Sequence, residues 1–211
     1  MQFFLTVSGL IDQATERAGK LLTWLVLAAV LISALNAIVR KVFNVGSNAF
    51  LEVQWYLFAA VFLMTAGYTL LRNEHVRIDV LSGRLSKKGQ AWIDIIGLTV
   101  FLLPVSLLMV YLSWPQFMNA YVNSEMSSNA GGLIRWPAKL LIPVGFSMLI
   151  IQALSELIKR IAFLRGLISD PTSNLPEKSP EEQLAEAIKA AADKAARDAT
   201  AGLDGQPAPI H

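Results

Sequence analysis

The sequence predicts an all-α membrane protein with four transmembrane helices. Three observations carry that prediction. The chain is 54% hydrophobic and only 16% charged, against about a quarter charged in an ordinary soluble domain. Its apolar residues gather into four runs, at about 21–39, 53–71, 93–114 and 140–158. Each is close to the roughly 20 residues needed to cross a hydrocarbon core about 30 Å thick. The runs also lack the two-residue alternation of a barrel strand, and a segment in lipid must satisfy its own backbone hydrogen bonds, which leaves helices.

Residues 1–20 precede the first span. Phe3, Phe4, Val7, Leu10, Ile11, Ala14 and Ala18 recur at helical spacing. Asp12, Gln13, Glu16, Arg17 and Lys20 fall mainly on the other face. The pattern predicts an amphipathic helix lying in the membrane interface. A direct continuation of the first span fits the same pattern. The basic residues follow the apolar ones, which is the wrong order for a cleaved signal peptide.

The first span holds one amide, Asn36. The second runs from Val53 to Leu71, the third contains Pro104 and the fourth Pro143; both prolines are candidate kinks. Lysine and arginine near the span ends set the orientation. Arg17, Lys20, Arg72, Arg77, Arg84, Lys87, Lys88, Lys159, Arg160 and Arg165 lie on one side, ten in all, and Arg40, Lys41, Arg135 and Lys139 on the other. Both termini and the middle loop are therefore expected in the cytoplasm, and the loops at about 40–52 and 115–139 outside. Trp55, Trp114 and Trp136 fall near the outer span ends and Trp24 and Trp92 near the inner ones, as an aromatic belt requires. The expected organisation is an interfacial helix (1–20), a four-helix transmembrane domain (21–165), and a cytoplasmic linker with a mostly flexible polar tail (166–211). Leu184, Ala185, Ile188 and Ala192 give that tail a thin apolar stripe, enough for a frayed solvent helix or a weak partner-docking helix.

The chain has no cysteine, which excludes disulfides, thiolate catalysis and cysteine metal sites. It has two histidines, His75 in the middle loop and His211 at the tail's end. Neither has a second ligand at metal spacing, and neither can face another histidine across a haem inside the spans. No catalytic or nucleotide-binding motif and no internal repeat is present. The expectation is no enzyme activity, no cofactor and no metal. A net charge of +2 gives no reason to expect nucleic acid.

Ionisable residues inside a bilayer default to functional hypotheses, and here they sit at span ends. Glu52 opens the second span, where Arg40, Lys41 or Arg135 are possible partners. Asp94 and Glu156 lie near the inner ends of the third and fourth spans, within reach of Arg72, Arg77 or Arg160. The middle loop Arg72-Asn-Glu-His-Val-Arg-Ile-Asp-Val-Leu81 alternates charge sign between apolar residues. The outer loop around Gly131 and Gly132 is either an ordinary turn ending at Pro137 or a docking surface for an extracytoplasmic partner.

The segments Glu52-Val-Gln-Trp-Tyr-Leu-Phe, Ala66-Gly-Tyr68, Asn73-Glu-His-Val-Arg-Ile-Asp-Val-Leu81, Ser127-Ser-Asn-Ala-Gly-Gly-Leu-Ile-Arg-Trp-Pro137 and Ser155-Glu-Leu-Ile-Lys-Arg160 resemble the small permease subunit of tripartite ATP-independent periplasmic (TRAP) transporters. The resemblance covers about residues 10–165 and is nearest to the branch labelled for mannitol, chloroaromatic or other organic-acid uptake. It implies a large permease that carries solute and ion, a periplasmic solute-binding protein, and a small subunit that scaffolds the large one in a bacterial inner membrane. Candidate structural or interface residues are Glu52, Trp55, Glu74, His75, Arg77, Asp79 and Glu156. The competing reading is a stand-alone small transporter or channel, for which the spans offer no polar pathway at mid-membrane.

Overall fold

The computed structural model describes residues 2–43, 47–73 and 86–169, together with residues 184, 185, 188 and 189. Among the described residues there are four long helices: α1 (Gln2–Phe43), α2 (Asn48–Leu71), α3 (Lys87–Val122) and α4 (Trp136–Leu164). All four are long and apolar enough to cross a membrane. The chain divides into two units, Met1–Thr172 and Ser173–His211. In the second, the described residues Leu184, Ala185, Ile188 and Lys189 are helical and exposed.

Four helices in alternating directions bring the start of α1 and the end of α4 to one end of the bundle, here the terminal end. The connection between α3 and α4 lies at the other, here the hairpin end. α4 is the central element: α2 and α3 both pack along it, and α1 packs along α2. Close approach depends on small residues, as is usual between membrane helices. A Cβ on Gly145 would stand 2.8 Å from the Leu63 Cβ and carbonyl oxygen, so this glycine lets α4 meet the α2 backbone. Leu70, Leu98 and Ala153 join α2, α3 and α4 in a small core toward the terminal end, with Leu102, Leu103, Leu149 and Leu157 packed around it.

Each helix overruns the apolar run from which it was predicted. α1 has 42 residues, about 63 Å of helix at 1.5 Å per residue, twice a bilayer core. No break separates residues 1–20 from the first span; of the two sequence readings, direct continuation matches the backbone. The arm meets the bundle through small and polar residues that the sequence reading placed on neither face, and its large apolar residues point outward. Ser8, Thr15 and Gly19 are buried, while Phe3, Phe4 and Leu10 are exposed. The polar stripe turns inward because α4 offers it polar partners. The arm crosses α4 obliquely: Ser8 meets Ser155 and Thr15 meets Gln152, so seven residues of α1 pass only three of α4. Gly19 then lies under the Tyr68 ring of α2.

α3 carries one of the two prolines expected to distort a helix. Pro104 has no N–H, and its ring crowds the carbonyl four residues earlier. The backbone accommodates this by widening into a π segment, Gly97–Leu102, in which the Leu103 N–H donates to the Leu98 oxygen five residues back. α4 tolerates Pro143 about two turns inside its start. It ends where Gly166 adopts φ +71°, with Gly166 N–H bonded to Phe163 O and Leu167 N–H to Ala162 O, the glycine-capped stop common at helix C-termini.

Trp55, Trp92 and Trp114 are exposed toward helix ends, and Trp24 is exposed midway along α1. Trp136 instead packs edge-on to Phe117 and Tyr121, tying α3 to α4.

Candidate functional site

The polar chemistry of the bundle sits at its two ends. At the hairpin end, residues 125–135 fold back on themselves. Met126 bridges Ile134, Ser127 N–H donates to Leu133 O at 2.9 Å, and Arg135 N–H donates to Glu125 O at 2.8 Å. The tip turns with Gly131 at φ +69°, a conformation that favours glycine. The Glu52 carboxylate of α2 enters this hairpin. One oxygen accepts from Ser127 Oγ and from Asn129 Nδ2 at 2.9 Å; the other accepts the Leu133 N–H at 2.6 Å. Gly132 must be small for this, because a Cβ there would fall 2.5 Å from Ser127 Cβ and 2.8 Å from Glu52 Oε1. Asn48 Nδ2 donates to Ala130 O and Tyr56 Oη to Ile134 O. The hairpin is thus bound to the start of α2 over two turns.

Glu52 was expected to pair with Arg40, Lys41 or Arg135. Its contacts are instead neutral donors. Arg135 is engaged by Glu125 at 3.3 Å, and Glu125 also binds Lys139. The hydrogen bond from Lys139, supported by Arg135, holds the Glu125 carboxyl below its ordinary range.

At the terminal end, three helices meet through charges. Glu156 binds both Lys159 and Arg160 on its own helix. Arg160 Nε also donates to Asp94 of α3 at 2.9 Å, and Lys159 Nζ donates to Asp12 of α1 at 2.9 Å. Asp12 further accepts from Gln152 Nε2 at 2.9 Å and Ser155 Oγ at 2.8 Å. Thr15 Oγ1 donates to Gln152 Oε1, and Ser8 and Ser155 share a hydroxyl contact of 2.6 Å. Gln152 and Ser155 are fully buried, and Glu156 and Arg160 nearly so. Beside them Glu16 joins Arg72 of α2 at 3.0 Å. The network ties α1, α3 and α4 together, as opposite charges and amides do where water is absent.

Of the sequence candidates, Glu52 and Glu156 are buried at opposite ends and serve different networks. Trp55 stands exposed on α2, about one turn beyond Glu52. Glu74, His75, Arg77 and Asp79 lie outside the described residues. Of the possible partners for Asp94 and Glu156, Arg160 takes both; Arg72 goes to Glu16. Asp12, Ser8, Thr15, Gln152 and Ser155 were not singled out. Their signal was present: serine, aspartate, threonine and glycine at 8, 12, 15 and 19 form one helical stripe, and Gln152 is an amide in an otherwise apolar run.

Among the described residues no group of three or more histidine, aspartate or glutamate residues is placed to hold a metal, and no fully buried side-chain nitrogen or oxygen lacks a hydrogen-bond partner. Four spanning helices fastened by polar networks at both ends define a multi-pass membrane protein. Residues 29–163 match the family model of the DctQ component of tripartite ATP-independent periplasmic transporters. The chain belongs to that family and is a small subunit of a TRAP transporter. The match is to the family as a whole and does not single out the mannitol, chloroaromatic or organic-acid branch. No curated protein and no solved structure matches the chain.

Proposed function

We propose that this chain is a fixed scaffold for the large permease of a TRAP system, in which the permease moves the solute. The observation that carries the reading is where the buried polar groups go. At both ends they are consumed in fastening helices to one another, which suits a rigid support, and among the described residues no fully buried side-chain nitrogen or oxygen is left without a partner. The positive charge surplus favours an orientation with both termini and the α2–α3 loop in the cytoplasm, and the family match supports a bacterial inner membrane. The hairpin at 125–135 then faces the periplasm, where its exposed rim of Met126, Ser128, Asn129, Ala130 and Gly131 is available to a solute-binding protein. The cargo we assign is an organic acid, driven by an ion gradient.

Copurification tests the reading. Tagged chain, solubilised gently from cells that also express the large permease, should bring it down in fixed ratio. Absence of the permease sinks the proposal, as does solute uptake by this chain alone in proteoliposomes. Orientation is checked separately. The chain has no cysteine, so Ser128→Cys supplies a single thiol. A membrane-impermeant maleimide should label it in cells whose outer membrane has been opened.

A further inference from the structure

The cations at the terminal end divide into two groups by what they face. Those turned toward neighbouring helices are matched: Lys159 by Asp12 and Glu156, Arg160 by Glu156 and Asp94. Those on the flank of α1 and α2 are not. One oxygen of Glu16 takes both Lys20 at 3.1 Å and Arg72 at 3.0 Å, and Arg17 has no carboxylate partner among the described residues. Three cations share one anion here, so two positive charges are left over.

Their depth is set by α2. That helix has 24 residues, about 36 Å, so its ends stand near the two surfaces of a hydrocarbon core about 30 Å thick. Its last turn meets α1 at Glu16 and Gly19, where Arg72 binds the one and the Tyr68 ring covers the other. The membrane surface therefore crosses α1 at this level, well inside a helix of 42 residues. Arg17, Lys20, Leu21 and Trp24 follow at i, i+3, i+4 and i+7, which puts them on one helix face. All four are exposed, Leu21 and Trp24 at 69% each. Along this face two cations at the surface give way to a leucine and a tryptophan just beneath it. A lipid presents its phosphate, ester and acyl layers in the same order. Trp24 is thus at the depth of a belt residue although it is far from a helix end. The other neighbouring exposed cations, Arg40 with Lys41 and Lys87 with Lys88, are adjacent in sequence and do not share a face.

We infer that this face of α1 binds an anionic phospholipid of the leaflet at the terminal end. Arg17 and Lys20 hold the phosphate, with Arg72 beside them, and Leu21 and Trp24 meet the acyl chains. Basic clusters beside the ends of membrane helices are common seats for anionic headgroups. A soluble phosphate compound would meet the cations but gain nothing from the leucine and tryptophan. A zwitterionic lipid brings a cation of its own against two charges already unneutralised. The binding requires only that the bundle cross a membrane, and is independent of what the subunit does for a permease.

The test titrates the full chain in detergent with phosphatidylglycerol or phosphatidylcholine and counts bound lipid by native mass spectrometry. The unaltered chain should favour phosphatidylglycerol about tenfold, a difference of about 1.4 kcal/mol. Arg17→Gln with Lys20→Gln should abolish that preference. These changes leave Arg72 on Glu16 and remove only an exposed pair, which adds little to stability. Arg40→Gln with Lys41→Gln takes the same charge from exposed positions at the other end of the helix and should leave the preference intact. Leu21→Ala with Trp24→Ala should weaken the binding of phosphatidylglycerol several-fold. Glycerol 3-phosphate in large excess, which offers the phosphate without the chains, should not displace the lipid. The inference is overturned by equal binding of the two lipids to the unaltered chain, or by an equal loss of preference in the two glutamine variants. Displacement by glycerol 3-phosphate overturns it too, and would make the face a site for soluble phosphates.

Discussion

The two ends of the bundle solve the same problem with different chemistry. Each buries a carboxylate that fastens elements distant in sequence. At the hairpin end Glu52 is held by a serine, an asparagine and a backbone N–H, all from one short loop. At the terminal end Glu156 is held by two cations, which reach on to other helices through Asp12 and Asp94. The difference follows from what must be held. A hairpin can wrap a carboxylate with its own backbone, and neutral donors suffice. Three rigid helices cannot bend toward a common acceptor, so long lysine and arginine side chains bridge the gap between them.

The contrast can be broken most severely at the terminal end. Arg160→Ala leaves Glu156 with Lys159 and Gln152 and removes the bond from Arg160 of α4 to Asp94. A loss of about 3–5 kcal/mol is expected, as for other buried pairs deprived of one member, and thermal unfolding in detergent would show it. Replacing Asp94 and Arg160 together by leucine should be milder than Arg160→Ala, since Glu156 keeps Lys159 and no new charge is stranded; a double variant worse than the single would contradict the ion-pair account.

At the hairpin end Gly132→Ala forces a methyl group into Ser127 and Glu52, and overpacking of this kind is worth about 1–3 kcal/mol. Its signature should be local: faster proteolysis of the hairpin with little change in unfolding of the helices. Glu52→Gln should loosen the same loop, because one of its oxygens becomes an amide facing donors. Acid should do so more gently. Glu125 has a lowered pKa in the folded chain, so its contribution is full above the ordinary carboxylate value of about 4.3 and is lost as the pH falls through the lower folded value. Hairpin protection should be flat from pH 8 to about 5 and decline only in stronger acid. The smallest effect belongs to Lys20→Ala. Lys20 pairs with Glu16 on an exposed helix face, and such pairs add little; a clear drop in melting temperature would mean that this pair supports the Glu16–Arg72 link.

The four spans were legible because length and charge exclusion are properties of local sequence. So were the two buried carboxylates, since acid residues at span ends are rare enough to stand out. Their partners were not. Glu52 looks across 81 residues to Leu133, and nothing local shows that a loop will fold back to meet it when three arginines and lysines lie nearer to mind. The arm is instructive in another way. Its amphipathic pattern gives the apolar face that points outward, with Phe3 and Leu10 exposed, but not the stripe that meets α4. Against a polar α4, Ser8, Asp12 and Thr15 go inward. Gln152 passed unnoticed because a single amide hardly changes the hydropathy of a long apolar run.

The inward-facing stripe of α1 also bears on the order in which the protein is made. Ser8 must wait for Ser155, 147 residues later in the chain, and Asp12 for Lys159, another 147. At synthesis rates of about 5–20 residues per second, that is roughly 7–30 s during which the first helix has emerged and its partners have not. Until α4 arrives, the arm carries an acid and two hydroxyls with nothing to bind. α4 is therefore the helix that completes the first, and a chain cut short of it would show its unfinished state to any protease surveying the membrane.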